Sequence, residues 1–218
     1  MKITNTGVYG FEGALRGMRN PMNSHHLSDS YIDNNEYIIG EKDLKLAQTL
    51  IKSGTEHCKF LRQIQVWCDI DEPRYWWSEF DTYKVGTSAN SSSTMHKLFN
   101  KKFPITKDMF VICPEDEDIA EIVIGRINEI REEWLTIEGN QQCKDYLLLR
   151  AKRLLMEGYL QLRTVNLNYA VIRNIILQRK NHRLKEEWQD VFCKWATTIP
   201  YSKELIFCGI EDEYERLK

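Results

Sequence analysis

The chain has 218 residues, of which 42% are apolar and 28% are charged, and its formal net charge is −2. This composition is typical of a soluble globular protein and excludes an intrinsically disordered one. Because acidic and basic residues are balanced, no nucleic-acid or membrane partner is expected, although a local basic pocket stays open. No apolar run approaches the ~20 residues needed to span a bilayer, and the N-terminus lacks the apolar stretch of a signal peptide.

The length suits one α+β domain over residues 1–218. The six cysteines are scattered, with no C-x-x-C pair and no histidine-rich spacing beside them. We therefore expect reduced, mostly buried thiols in a cytoplasmic protein, and no metal site.

The N-terminal half mixes predicted strands and helices. Residues 1–24 indicate a strand or short helix followed by a polar loop, which lies either on the surface or beside a substrate. A helix is expected over 41–53, where apolar residues share one face before Gly54, and a strand over 60–70. Another helix follows Pro73, and its aromatic residues favour core positions over ligand stacking. These aromatic residues are Trp76, Trp77, Phe80 and Tyr83.

The C-terminal half is expected to be rich in helix. The serine-rich segment 87–94 is either a flexible linker or an ordered loop between strongly patterned segments. Helical patterns follow it, and a short tail completes the chain. The predicted helical ranges are 95–99, 117–134, 142–162, 166–180 and 184–198.

Several common site motifs are absent from the sequence. There is no G-x-G-x-x-G, no G-x-x-x-x-G-K-[ST], no H-E-x-x-H and no G-x-S-x-G. A Rossmann dehydrogenase, a P-loop kinase, a zinc hydrolase and an α/β-hydrolase would each need one of these signals. His57 and Cys58 are sequence neighbours that would point apart on a strand, so they do not make a nucleophile pair.

Two polar constellations carry the functional signal. The first is Glu56-His57-x-x-Phe60 followed by Ser88-x-Asn90-x-x-Ser93, and it resembles the flavin-dependent thymidylate synthase (ThyX) family. In that family a Glu-His-x-x-Phe segment precedes the signature Arg-His-Arg-x-x-Ser-x-Asn-x-x-Ser. At the place of the Arg-His-Arg triplet this chain has Tyr83-Lys84-Val85, so one cation remains there.

The second constellation follows the same family pattern without gaps. Ala151-Lys152 stands at the family's Ala-Arg step, and Asn168 at its next Asn. Ala170 takes the place of the following Arg, Asn174 that of a His or Asn, and Gln178-Arg179 that of Leu-Arg. The resemblance covers roughly residues 45–198, and its collinear order is stronger evidence than any single motif.

The resemblance implies a ThyX fold, an α+β architecture with a small mixed or antiparallel sheet, and a homotetramer, because the family's sites form between subunits. It also implies that FAD relays a one-carbon unit from a folate donor to a pyrimidine deoxynucleotide of the dUMP type, with NADPH required if the protein is active. The implied cofactor contacts are His57, Lys84, Ser88, Asn90, Asn168 and Asn174. The implied catalytic residues are Arg179 and Ser93, which would also bind substrate together with Lys152.

Each of these residues also has a structural interpretation. Ser88, Asn90 and Ser93 suit a capped turn before the helix near Met95. Lys152 and Arg179 suit solvated basic faces, and His57 suits a partly buried histidine with satisfied hydrogen bonds. The sequence therefore leaves open a catalytically inactive ThyX-fold protein that binds a nucleotide or a protein partner.

Overall fold

The computed structural model describes residues 1–99 and 102–218. Its strands are β1 (Lys2–Tyr9), β2 (Tyr31–Asp33), β3 (Glu36–Ile38), β4 (Gln65–Pro73), β5 (Ser88–Ser91) and β6 (Leu160–Asn168). Its helices are α1 (Phe11–Met18), α2 (Glu41–Lys52), α3 (Arg74–Phe80), α4 (Thr94–Lys97), α5 (Glu117–Thr136), α6 (Gln141–Leu154), α7 (Tyr169–Arg179), α8 (Lys194–Ala196) and α9 (Glu211–Leu217). The fold is therefore α+β with a small antiparallel sheet, as the sequence predicts.

Four strands form one sheet in the order β1-β4-β6-β5, while β2 and β3 form a separate antiparallel hairpin with Tyr31 opposite Ile38. The chain folds into two compact units. The first unit contains Met1, Asp71–Asp81 and Asn90–Arg163, and the second contains Lys2–Ile70, Thr82–Ala89 and Thr164–Lys218. The single domain over 1–218 stays a prediction. No helix among the described residues is long and apolar enough to cross a membrane.

The core of the first unit is built around α5 and α6. Helix α5 buries Ala120, Ile124, Ile127 and Ile130, which recur every three or four residues and so share one face. Helix α6 begins at Asn140, whose side-chain oxygen accepts a hydrogen bond from the Cys143 backbone N–H at 3.1 Å. The same core contains Leu98, Phe99, Ile105, Phe110, Leu147, Ala151, Leu155 and Tyr159.

A buried ion pair organises the N-terminal part of the second unit. Arg19 and Asp43 are 4% and 0% exposed, and the Arg19 Nε donates to the Asp43 carboxylate. The hydroxyls of Ser28 and Ser30 both donate to Asp43 Oδ2 at 2.6 Å. Arg19 also donates to the carbonyl oxygens of Ser24 and Leu27, each at 3.2 Å. This network ties the segment after α1 to the first turn of α2.

Several predicted elements are confirmed. The helix expected over 41–53 is α2, and that over 117–134 is α5. The strand expected over 60–70 is β4, which begins later because Lys59–Arg62 forms a 3-10 turn. Trp76, Trp77 and Phe80 are fully buried, which confirms the core interpretation of the aromatic residues on α3.

The prediction of helices over 142–162 and 166–180 is wrong where the first range ends and the second begins. Helix α6 ends at Leu154, and β6 occupies Leu160–Asn168. In the connection between them, Gly158 lies against Val111, and a Cβ there would be 2.3 Å from the Val111 carbonyl oxygen. The Gly158 carbonyl oxygen accepts a hydrogen bond from the Val111 N–H at 2.8 Å, and this close approach needs a residue without a side chain.

Two further segments have a type of secondary structure that differs from the predicted one. The serine-rich segment is neither a linker nor a loop over 88–91, because these residues form strand β5 at one edge of the sheet. The helix predicted over 184–198 is a π-helix over Glu186–Cys193 that continues as α8. A second π-helical stretch, Ser202–Ile206, follows in the tail.

Candidate nucleotide site

A cavity of about 500 Å³ lies in the second unit beside α7, and we refer to it as the α7 cavity. One face of the helix supplies Ala170, Arg173, Asn174 and Leu177, whose spacing places them on successive turns of one side. Apolar side chains make most of the remaining wall. The other lining residues are Ile51, Gly54, Thr55, Cys58, Leu61, Arg62, Val85, Gly86, Asn168 and Val171.

Asn168 fixes the start of α7 and joins it to the Thr82–Ala89 segment. Its side-chain oxygen accepts a hydrogen bond from the Val171 backbone N–H at 3.1 Å, which caps the helix. Its amide nitrogen donates to the Gly86 carbonyl oxygen at 3.4 Å. The Tyr169 N–H donates to the Ile64 carbonyl oxygen at 3.1 Å, which anchors the same junction to the end of the 3-10 turn. The Thr82–Ala89 segment and the C-terminal constellation therefore meet at Asn168.

Gly86 makes the close approach to α7 possible. Its φ of +86° lies in the left-handed region that glycine adopts readily. A Cβ at this position would lie 2.9 Å from Asn168 Nδ2 and 3.0 Å from Val171 Cγ2. The turn after Tyr83-Lys84-Val85 thus reaches the cavity wall only because residue 86 has no side chain.

The charged side chains that line the α7 cavity are Arg62 and Arg173, and no aspartate or glutamate lies among the lining residues. Arg173 is partly buried, and its Nη1 donates to the Ile206 carbonyl oxygen at 2.6 Å. Burial is the main cause that lowers the pKa of Arg173 from its ordinary value. Sequence reasoning missed Arg173. Its position three residues after Ala170 is the signal that places it on the same helix face.

Arg179 lies at the last turn of α7, outside the residues that line the α7 cavity. Its Nε donates to the Tyr83 hydroxyl at 2.9 Å, and that hydroxyl donates to Gln178 Oε1 at 2.9 Å. The guanidinium lies 4.8 Å from the centre of the Trp188 ring and 5.7 Å from that of Tyr83, within the range of cation–π attraction. Tyr83, at the position where the sequence resemblance places the first arginine of the family signature, therefore contacts Arg179 directly.

The second unit brings together some of the other predicted residues and separates others. Asn174 lines the α7 cavity with Asn168, and its side-chain oxygen accepts from Gln178 Nε2 at 3.0 Å. His57 is exposed and lines a different cavity of about 470 Å³, together with Glu56, Phe60 and Met22 among others. The side chains of Lys84 and Ser88 are exposed and lie outside the α7 cavity.

The first unit contains the remaining predicted residues, Asn90, Ser93 and Lys152. Asn90 is exposed on β5, and Ser93 precedes α4 without a side-chain cap. Lys152 lines a polar pocket of about 320 Å³ and forms no ion pair among the described residues.

Two ion pairs and a cation–π contact shape that polar pocket. Arg163 Nη1 lies 2.9 Å from the Asp81 carboxylate, and Arg74 lies 3.2 Å from that of Glu157. The Arg163 guanidinium lies 4.1 Å from the centre of the Trp77 ring. Lys152 is therefore the cation of this pocket that is available to an anionic ligand.

The part of the chain that the structure describes contains no group of three or more histidine, cysteine, aspartate or glutamate residues arranged to hold a metal ion. All six cysteines are free thiols, and Cys68, Cys193 and Cys208 are buried. Burial raises the pKa of Cys68 and that of Cys193 to about 12, so neither is a reactive thiolate near neutral pH.

Comparison with known proteins shows the fold. No protein-family profile and no curated protein sequence matches this chain. Two crystal structures of the flavin-dependent thymidylate synthase ThyX from Helicobacter pylori, both complexed with FAD and dUMP, superpose with a TM-score of 0.68 at 16% identity. The superpositions cover 95% and 99% of this chain and 98% and 99% of those chains.

A third structure, the UMP/dUMP methylase PolB from Streptomyces cacaoi bound with 5-Br dUMP, superposes with a TM-score of 0.52 at 14% identity. That superposition covers 95% of each chain. At such low identity these likenesses establish that the chain has the ThyX fold, over nearly its whole length. This is the fold that the two polar constellations predict.

Proposed function

We propose that this protein binds a pyrimidine deoxynucleotide of the dUMP type together with FAD, as a divergent flavin-dependent thymidylate synthase-like protein. The observation that carries the proposal is the α7 cavity, where Val85 and Gly86 of the altered signature meet Asn168 and Asn174 of the C-terminal constellation. Neighbours of the same fold were crystallised with FAD and dUMP or with a dUMP analogue, which supports a nucleotide ligand.

The residues around the cavity fit a nucleotide cofactor. Apolar walls from residues such as Ile51, Leu61 and Leu177 suit a flat heteroaromatic ring, and they exclude water from it. The charged residues of the wall are both arginines, Arg62 and Arg173, which is compatible with an anionic ligand. When bound, the flavin would supply the redox and one-carbon chemistry, which the protein's own groups lack.

The proposed roles of this chain's residues are binding and orientation. In the second unit the Asn174 amide would orient a ring edge or sugar, and Asn168 would hold the cavity wall in place. Lys152 and Ser93, which belong to the first unit, stay proposed substrate contacts. Arg179 would stabilise charge on the pyrimidine. His57, Lys84, Ser88 and Asn90 stay proposed cofactor contacts.

A second candidate is a non-catalytic relative that binds a nucleotide or a protein partner. The contact between Arg179 and Tyr83 favours it, because an arginine proposed for the substrate is already bonded within the chain. Ala170 favours it too, since the family's arginine is missing at that position on the cavity wall. Both candidates share the fold and the proposed homotetrameric state, which light scattering after gel filtration would test.

The visible absorption spectrum of the purified protein separates the candidates. A flavin band that travels with the protein through gel filtration supports the first, and a folate-dependent assay with NADPH and dUMP then measures activity. A colourless protein whose melting temperature rises with dUMP supports the second, because a ligand that binds only the folded state stabilises it. A protein that retains no FAD and shows no shift with dUMP contradicts both.

A further inference from the structure

Arg173 is a partly buried arginine of the α7 cavity whose charge is not neutralised by an ion pair in the described part of the chain. Its Nη1 donates to the Ile206 carbonyl oxygen, which leaves the other N–H groups of the guanidinium for a ligand. Glu211 acts on Arg173 electrostatically without forming an ion pair with it. The Glu211 carboxylate itself accepts a hydrogen bond from the Gly209 N–H at 2.8 Å.

Two other arginines with little exposure, Arg19 and Arg163, each have a carboxylate partner. Arg19 is paired with Asp43, and Arg163 is paired with Asp81. This difference matters because removing a guanidinium from water is unfavourable unless an anion or several hydrogen bonds compensate. No carboxylate among the described residues forms such a pair with Arg173, so a bound anion would offset the cost of burying its charge.

Arg62 adds a second positive charge to the α7 cavity. It lies on the 3-10 turn that packs against α7, and it too forms no ion pair among the residues that the structure describes. Two cations and no acidic side chain line the cavity, while most of its wall is apolar. Walls of low dielectric concentrate the field of such charges, so the cavity attracts an anion with an apolar part.

We propose that the α7 cavity is a phosphate-binding site in which Arg173, supported by Arg62, holds the phosphate of the bound nucleotide. This inference rests on the proposed function and adds to it the residues that recognise the ligand. Arg173 follows Ala170 by about one turn on the same helix face, so it supplies the cation that is missing at Ala170. The exposed Lys84 of the altered signature is then not the phosphate contact.

The test compares two variants that each remove one positive charge. Arg173→Met removes the guanidinium and keeps much of the side-chain length, and Lys45→Met, at an exposed position on α2 outside the α7 cavity, is the matched control. Binding of dUMP, FAD, deoxyuridine and pyrophosphate is measured by calorimetry for the wild type and for both variants. We expect Arg173→Met to raise the Kd of phosphate-bearing ligands by about 10-fold to 100-fold, the range of a charge-assisted hydrogen bond.

The control and the ligand series make the result specific. Lys45→Met is expected to change these constants by less than about threefold, because an exposed charge away from the cavity contributes little. Deoxyuridine, which lacks the phosphate, is expected to bind weakly to the wild type and equally to Arg173→Met. Arg62→Met, at an exposed position, gives a second test that does not depend on whether Arg173→Met folds.

Alkylation of Cys58 locates the binding. This thiol lines the α7 cavity, whereas Cys113 is exposed in the first unit and serves as the internal reference. A phosphate-bearing ligand is expected to abolish maleimide labelling of Cys58 and to leave Cys113 unchanged, as read by peptide mass mapping.

The outcomes separate the two proposals. If the wild type binds dUMP or FAD but neither Arg173→Met nor Arg62→Met weakens binding, or if Cys58 is not protected, the phosphate assignment is wrong and the proposed function stands. If the wild type binds none of dUMP, FAD and pyrophosphate, both proposals are overturned.

Discussion

Replacing Asn168 by alanine tests whether this residue holds the fold or only contacts a ligand. Asn168 is 6% exposed, and both ends of its amide are engaged, one in capping α7 and one with the Gly86 carbonyl oxygen. A residue kept for ligand binding alone would lose affinity on substitution without a loss of stability. We expect Asn168→Ala to lower the free energy of unfolding.

The expected loss is the sum of two contacts. Removing an Asn cap in favour of alanine costs about 1 kcal/mol. The bond to Gly86, at 3.4 Å, is long, and its loss adds roughly 0.5–1 kcal/mol because the Gly86 carbonyl is left without that donor. The total of about 2 kcal/mol corresponds to a fall in Tm of roughly 4–8 °C for a protein of this size.

Urea denaturation followed by tryptophan fluorescence measures this change, and Asn174→Ala is the matched control. Asn174 lies on the same helix, lines the same cavity and is exposed, so its substitution is expected to change stability by less than about 0.5 kcal/mol. Equal stability of the two variants would refute the reasoning, because the buried cap would then contribute nothing beyond an exposed asparagine.

Three more predictions concern stability. Asp43→Asn leaves Arg19 buried without its anion, and urea denaturation is expected to show a loss of about 3–5 kcal/mol. Burial by itself raises the pKa of Asp43, but hydrogen bonds from its neighbours hold it below its usual 3.8. The ion pair therefore contributes its full stability above about pH 4 and loses it as the pH falls through the lowered pKa of Asp43, so on acidification below about pH 4 the wild type is expected to lose more stability than Asp43→Asn does. Tyr83→Phe removes the hydroxyl that accepts from Arg179 and is expected to cost about 1 kcal/mol in thermal unfolding, whereas an unchanged Tm would show that the hydroxyl contributes nothing. Gly86→Ala, at φ +86°, is expected to cost at least about 1–2 kcal/mol, and an alanine variant as stable as the wild type would contradict the close approach to α7.

Regular periodicity is the part of the fold that the sequence predicts well. Helices α2 and α5 repeat their buried residues every three or four positions, so their pattern matches the period of a helix. For strand β6 the pattern of apolar residues does not indicate the structure that forms. Its buried apolar side chains are Val165 and Leu167. Leu160 and Leu162 lie on the opposite face of the strand, where Leu160 is partly buried and Leu162 is exposed. Apolar residues on both faces give no clean alternation, which explains why a helix was predicted there.

Strand β5 shows a different limit. Serine and asparagine have low strand propensity, so local sequence favours a turn over 88–91. The strand forms because its neighbour provides partners, as at its end, where Gln161 Nε2 donates to the Ser92 carbonyl oxygen at 2.9 Å and the Ser92 N–H donates to Leu162 O at 2.9 Å. Such long-range pairing is invisible to a local pattern. The candidate site shows the same limit. Motif spacing predicts Asn168 and Asn174, whereas Arg173 is identified from its position in the wall of the α7 cavity.

The segments of the two units are completed at different times during translation. The segments of the first unit are all translated by residue 163, whereas the second unit needs Thr164–Lys218 to join Lys2–Ile70. Until α7 leaves the ribosome, the 3-10 turn Lys59–Arg62 lacks the helix that packs against it, and Leu61, fully buried in the finished protein, lacks that cover. The nascent chain therefore exposes this apolar surface until α7 has been translated, and the α7 cavity cannot form before then. Chaperone demand should accordingly depend on residues 164–218, the segment that closes the site.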